Sequence, residues 1–230
     1  MSYQACIFDL DGTLCDSVES IAWSGNQMLR DLGLRQASLE DYKIFVGDGV
    51  DVLMRRLLRF GGDEEGVRFD EAKRRYMEYF QEGCLYNVKA YPGIVEMLAA
   101  LKKQGAKLSV LSNKPHGNTR NVIEKVFGPE MFDLVQGQSE LFPRKPAPDG
   151  ALYLADKLGA APKDCLYVGD TGTDMKTGKA AGMYTVGVLW GFRDEEELIR
   201  DGADCVAADA MELVDIYGRE NRENDKACSQ

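Results

Sequence analysis

Four apolar residues, Ala5-Cys6-Ile7-Phe8, run directly into Asp9-Leu10-Asp11-Gly12-Thr13-Leu14, and this junction constrains the fold more than any other feature of the chain. A short apolar run with polar residues at its carboxyl end is the pattern of a buried strand in an open α/β sheet, where ligand sites gather. In an extended segment Asp9 and Asp11 project to the same side. Two like charges so close ionise together only when a cation or strong donors neutralise them. A hard divalent ion with oxygen ligands meets that need. Gly12 and Thr13 turn the chain away from the strand and offer backbone N–H groups and a hydroxyl to an anion. Carboxylate, metal and anion cradle together are the parts of phosphoryl transfer through an aspartyl-phosphate.

The rest of the chain supplies a sheet for that strand. Further short apolar runs are Leu108–Leu111, Leu134–Val135, Leu166–Val168, Thr185–Leu189 and Cys205–Val206. Between them lie helical patterns. Ile94, Met97, Leu98 and Leu101 recur at i, i+3, i+4 and i+7, opened by Pro92-Gly93 and closed by Gly105. Thr119–Phe127 and Gly150–Leu158 are two more. This alternation predicts an α/β fold, a doubly wound and mostly parallel sheet. Residues 17–87 break the rhythm, with helical stretches at Val18–Leu32, Val50–Phe60 and Phe69–Cys84 and no strand. They are expected to form a helical cap inserted into a discontinuous core, residues 1–16 and 88–218, and able to move as a lid. Arg219 to Gln230 are polar and aperiodic, the pattern of a flexible tail.

Composition narrows the partners. A formal net charge of −10 argues against nucleic acid, because phosphate backbones select clustered Lys and Arg. No apolar stretch approaches the ~18 residues of a membrane span, and no secretory signal is visible. Six cysteines without CxxC spacing imply neither a zinc site nor a disulfide framework and fit a cytoplasmic setting. Cys15 stands close behind the first motif, which raises a redox switch as an idea resting on proximity alone.

Three further sites sit where strands end. Ser112-Asn113-Lys114 follows the second run and offers a hydroxyl and an amide to a phosphoryl oxygen. Arg144-Lys145-Pro146 precedes a helix, with an ammonium presented from a loop. Gly169-Asp170-Thr171-Gly172-Thr173-Asp174 again puts carboxylates at a strand end. His116, the single histidine, is read as a loop-surface residue with general acid as the alternative.

These four motifs, in this order, resemble those of the haloacid dehalogenase-like superfamily, in the subclass with a helical cap after the first motif. Tyr91-Pro92-Gly93, Ser112-Asn113-Lys114-Pro115, Lys145-Pro146-x-Pro148 and Val186–Phe192 look most like phosphoglycolate phosphatases. The resemblance implies a Mg2+-dependent phosphatase of a small phosphorylated metabolite such as 2-phosphoglycolate, monomeric or homodimeric. Asp9 would be the nucleophile, Asp11 the general acid and base, and Lys145 the neutralising cation. Asp9, Asp11 through its backbone carbonyl, and Asp170 would hold the metal, with Asp174 behind them. Gly12, Thr13, Ser112, Asn113 and, in the cap turn Phe45–Gly49, Gly47 would contact substrate. A phosphomutase or pyrophosphatase of the same superfamily, and a non-enzymatic binding protein on the same scaffold, are the alternatives.

Overall fold

A computed structural model describes residues 3–218; the tail expected over 219–230 lies outside the described residues. Six parallel strands form one sheet in the order β5-β4-β1-β6-β7-β8. They are β1 (Ala5–Phe8), β4 (Lys107–Pro115), β5 (Leu134–Gln138), β6 (Cys165–Gly169), β7 (Tyr184–Val188) and β8 (Cys205–Ala207). All six runs expected from the sequence are strands.

Each central strand is apolar on both faces, as a parallel sheet covered on both sides requires. Cys6 and Phe8 of β1 pack with Leu108, Val110, Leu166 and Val168 into one core. The intervening Ala5 and Ile7 pack with Cys165 and Tyr167 into the other. The first core is closed by α5 (Ile94–Lys103) and α6 (His116–Phe127), and the second by α7 (Asp149–Leu158). Next to α7 in sequence, the chain returns through β6 to α8 (Gly172–Ala180), then after β7 to α9 (Glu195–Arg200). β1 lies between β4 and β6, and the chain leaves it in opposite directions on the two sides. Its carboxyl end is therefore the switch point, where such sheets open a crevice.

Between β1 and β4 stand α1 (Val18–Asp31), α2 (Leu39–Phe45), α3 (Val50–Gly61) and α4 (Phe69–Gly83). These four helices enclose a core of their own, including Met28, Leu29, Tyr42, Met54, Leu57, Tyr76 and Phe80. Where the chain enters and leaves this insert, Cys15–Asp16 (β2) pairs antiparallel with Lys89–Ala90 (β3). The sequence suggested no strand here, and two residues a side is too short for periodicity to reveal one. Helix α9, N-capped by Asp194, was also not anticipated, and neither were α2 and α8, whose caps are reciprocal. Each of these two starts with a capping box, Ser38 with Asp41 and Thr171 with Asp174, and that spacing was the available signal.

Candidate active site

The ends of β1 and β6, the start of α8 and the loop before α7 meet at Asp9. Lys145 Nζ lies 2.8 Å from Asp9 Oδ1 and 2.7 Å from Asp174 Oδ1, and all three side chains are buried. Asp9, Asp170 and Asp174 bring carboxylate oxygens within 4.8 Å of one another. Burial, reinforced by the Asp174 charge, pushes the Asp9 carboxyl up to about 7. Burial and the charges of Asp174 and Asp9 hold Asp170 well above the usual carboxylate range. For Lys145, burial acts to lower the pKa, but the Asp174 and Asp9 charges outweigh it and keep the ammonium charged. One ammonium against three buried carboxylates leaves excess negative charge, so this group fits a hard divalent cation.

The carboxylates are themselves held in place. Asp170 accepts from Thr13 Oγ1 at 2.9 Å and from the Phe192 backbone N–H at 2.8 Å. Gly12 passes so close that a Cβ there would lie 2.2 Å from Asp170 Oδ2, and its φ of +89° also demands glycine. Gly191 approaches from the other side, and a Cβ on it would lie 2.3 Å from Asp170 Cβ. Asp174 spends Oδ2 on its own helix start, accepting from the Thr171 N–H and Oγ1, and offers Oδ1 to Lys145.

Several expected roles change at this point. The Asp11 carboxylate does not join the acidic cluster. It turns towards the insert, where Oδ1 accepts from Ser17 Oγ at 2.5 Å and from Lys114 Nζ at 2.6 Å. The Thr13 hydroxyl, expected at an anion, is engaged by Asp170. Asn113, expected at substrate, uses its whole amide on backbone: Nδ2 donates to Gly47 O and Lys145 O, and Oδ1 accepts from Lys145 N. It fixes the Lys145 loop and ties the insert to the core. Ser112 is buried, and its Oγ accepts from Lys114 N. Gly47 lines the pocket with φ +114°, but its absent Cβ faces Thr171 Cγ2 at 3.3 Å and not the cavity. His116 begins α6, and its Nδ1 accepts from Gly137 N. Cys15 is buried, which pushes its thiol well up and leaves no reactive thiolate for a redox switch.

Above Asp9 and Asp11 lies a pocket of about 480 Å³, counting its open mouth. Its floor is polar and comes from β1 and β4. Its roof comes from the insert and is largely apolar, with Ile21, Val50, Leu53, Tyr76 and Phe80. The insert loop after α2 is bonded to the core at several points. Arg193 donates to the carbonyls of Lys43, Ile44 and Val46, and Thr173 Oγ1 donates to Asp48 Oδ1. Arg56 pairs with the same Asp48 at 2.6 Å. Lys114, Arg193 and Phe192 were given no role from sequence. Their partners are remote in the chain, and no local spacing announces them.

Comparison with known proteins agrees with this geometry. The chain matches the model of the haloacid dehalogenase-like hydrolase family over residues 6–188. It is 33% identical over 215 residues to a phosphoglycolate phosphatase of Aquifex aeolicus, covering 92% of this chain and 96% of the relative. It is 32% identical to that of Pseudomonas putida, over 90% of this chain and 77% of the relative. Among crystal structures, a predicted phosphoglycolate phosphatase from Haemophilus somnus superposes with a TM-score of 0.86 at 30% identity, covering 94% and 98% of the two chains. A putative phosphoglycolate phosphatase from Lactobacillus delbrueckii gives 0.87 at 31%, covering 94% and 99%.

Proposed function

The chain belongs to the haloacid dehalogenase-like hydrolases and is a phosphoric monoester hydrolase, and on that premise we propose that it hydrolyses 2-phosphoglycolate through an aspartyl-phosphate on Asp9. The observation that carries this reading is the placement of Asp9. It is a buried carboxylate at the switch point, paired to Lys145, on the floor of a small pocket roofed by the insert. A compact substrate suits that volume. The names of the relatives supply the choice among compact substrates.

In this reading the Asp9 carboxylate attacks phosphorus, and the bond from phosphorus to the ester oxygen breaks. Asp11 delivers a proton to the departing oxygen. Asp11 then takes a proton from the water that attacks the acyl phosphate, which frees phosphate and restores Asp9. Lys145, held between Asp9 and Asp174, offsets the charge of the phosphoryl oxygens. Asp9, the backbone carbonyl of Asp11, and Asp170 would hold Mg2+, and Asp174 positions Lys145 from behind. When bound, the metal supplies positive charge beside the phosphoryl group. Thr13 and the Phe192 N–H keep Asp170 oriented for that task. The insert acts as a cap whose apolar roof excludes bulk water from the first step. The five described cysteines are free thiols, which supports a cytoplasmic setting. No helix among the described residues is long and apolar enough to cross a membrane.

Phosphate release from a panel of small monoesters and pyrophosphate, with Mg2+ and with EDTA, tests the proposal. The expected result is highest kcat/KM for 2-phosphoglycolate and loss of turnover in EDTA. Preference for pyrophosphate, or full activity in chelator, would overturn it.

A further inference from the structure

One buried charge in the pocket is not needed by the chemistry described above. Lys114 stands at the carboxyl end of β4, where the pairing with β5 shifts register, and both Ser112 and Lys114 line the pocket. Its side chain is 1% exposed. Its ammonium lies 2.6 Å from Asp11 Oδ1 and 5.1 Å from the centre of the Phe80 ring on α4. Among the described residues it is the only cation lining the pocket. Beyond it the insert lines the pocket with Ile21, Val50, Leu53, Phe80 and Tyr76, apolar but for the Tyr76 hydroxyl. Asp11 takes one of the three ammonium hydrogens, and the donors left over face a pocket whose roof is largely apolar, so a second anion entering the pocket finds a buried cation there.

Distance selects which charge. The ester oxygen must reach Asp11 for protonation, and Lys114 touches Asp11. A group at Lys114 therefore sits within about two hydrogen-bond lengths of the ester oxygen, a span that a carboxylate one carbon away can bridge. The ring face of Phe80 flanks the ammonium on the insert side and stabilises it there.

We propose that Lys114 determines specificity, its ammonium receiving a carboxylate carried one carbon beyond the ester oxygen of the substrate. This deepens the assignment of 2-phosphoglycolate and rests on that assignment for the identity of the substrate. Lys145 serves the phosphoryl end and Lys114 the carboxylate end, so the two charges of the substrate meet two different lysines, one from the loop before α7 and one from the end of β4. Uncharged esters of equal size forgo the second contact.

The test compares 2-phosphoglycolate with its neutral near-isostere 2-hydroxyethyl phosphate, in wild type, Lys114→Met and Lys114→Gln. The readout is the ratio of the two kcat/KM values, so that any general damage cancels. The ratio should fall about 30-fold in both variants, the scale of a lost charge-assisted hydrogen bond, and fall mainly through KM. Lys114→Gln retains a hydrogen-bond donor for Asp11, which separates charge recognition from support of Asp11. A ratio unchanged in a folded variant overturns the proposal, even if both activities drop. A second arm measures competitive inhibition by 3-phosphonopropionate, a carboxylate-bearing phosphonate that cannot be hydrolysed, against neutral 3-hydroxypropylphosphonate. If wild type fails to turn over 2-phosphoglycolate yet loses 3-phosphonopropionate inhibition selectively in the variants, the substrate assignment falls and Lys114 stands. If wild type turns over 2-phosphoglycolate and the inhibitors respond alike, Lys114 falls and the assignment stands.

Discussion

The floor and the roof of the pocket are made of different materials. The floor is polar, with Asp9, Asp11, Ser112, Asn113 and Lys114 at the ends of β1 and β4, and Asp9 joins it to a buried charged cluster with Asp170, Asp174 and Lys145. The roof offers apolar side chains from α1, α3 and α4 and a loop held by its backbone. A charged cluster tolerates little displacement, because electrostatics at short range is steep and every member is desolvated. An apolar roof tolerates rearrangement and discriminates by shape. The division puts the charged side chains on the sheet and leaves the inserted helices to close the pocket over them.

The harshest way to break that division is to strike the floor. Asp9→Asn should lower turnover of every substrate alike, by about 10^4-fold or more, the scale of removing a catalytic nucleophile. Steady-state rates on 2-phosphoglycolate and on p-nitrophenyl phosphate check it, and retained activity on either ester would contradict a covalent role.

Asn113→Ala strikes the seam between the two regions. It leaves the buried Lys145 N–H and the Gly47 carbonyl without their partner. A loss of about 1–3 kcal/mol in unfolding free energy is expected, together with roughly tenfold lower kcat as Lys145 loses its anchor. Denaturant titration and kinetics on the same preparation measure both. Wild-type stability would show that the amide bonds carry nothing.

Gly47→Val strikes the roof. At φ +114° a β-branched residue is strained by about 1–3 kcal/mol, and its side chain would press on Thr171. The insert loop should shift, raising KM for the compact substrate several-fold while p-nitrophenyl phosphate is affected less. Equal effects on both esters would mean that this loop does not select.

The mildest test uses protons. With its carboxyl raised from 3.8 to about 7, Asp9 binds a proton more tightly in the folded protein than in the unfolded chain. The stability this contributes is complete below the unfolded value and is lost as pH rises through about 7. Mg2+ should therefore raise the melting temperature little near pH 5 and by a few degrees near pH 8. A metal effect independent of pH would argue that Asp9 is not where the cation and the proton compete.

The strands and the helices of the roof could be read in the sequence, and the long-range contacts that shape the pocket could not. Strands buried on both faces leave unbroken apolar runs, and their charged ends are contiguous in the chain, so Asp9, Lys145 and Asp170 stand out. Lys114 and Asp11 are 103 residues apart, and Arg193 and Val46 are 147 apart. Such contacts leave no spacing to find. Thr13 and Asn113 were expected at an anion or substrate, and in the structure their side chains bond to Asp170 and to the Gly47 and Lys145 backbone. Residue type predicts hydrogen-bonding capacity, whereas only the folded chain shows where that capacity is used. Helix α8 escaped notice because its polar, glycine-containing sequence lacks an apolar stripe.

The contact between Arg193 and the insert loop has a consequence for exchange of backbone protons. Lys43, Ile44 and Val46 lie in and just past the last turn of α2, where helical carbonyls lack intrahelical donors. The core thus supplies, through one guanidinium, donors to three carbonyls at the C-terminal end of a seven-residue helix of the insert, where Arg56 of α3 holds the Phe45 carbonyl. Parting the two regions strips those donors, and a helix so short frays without them. Amide protection along α2 would then be a direct gauge of how often the insert lifts, readable by deuterium uptake with no substrate present.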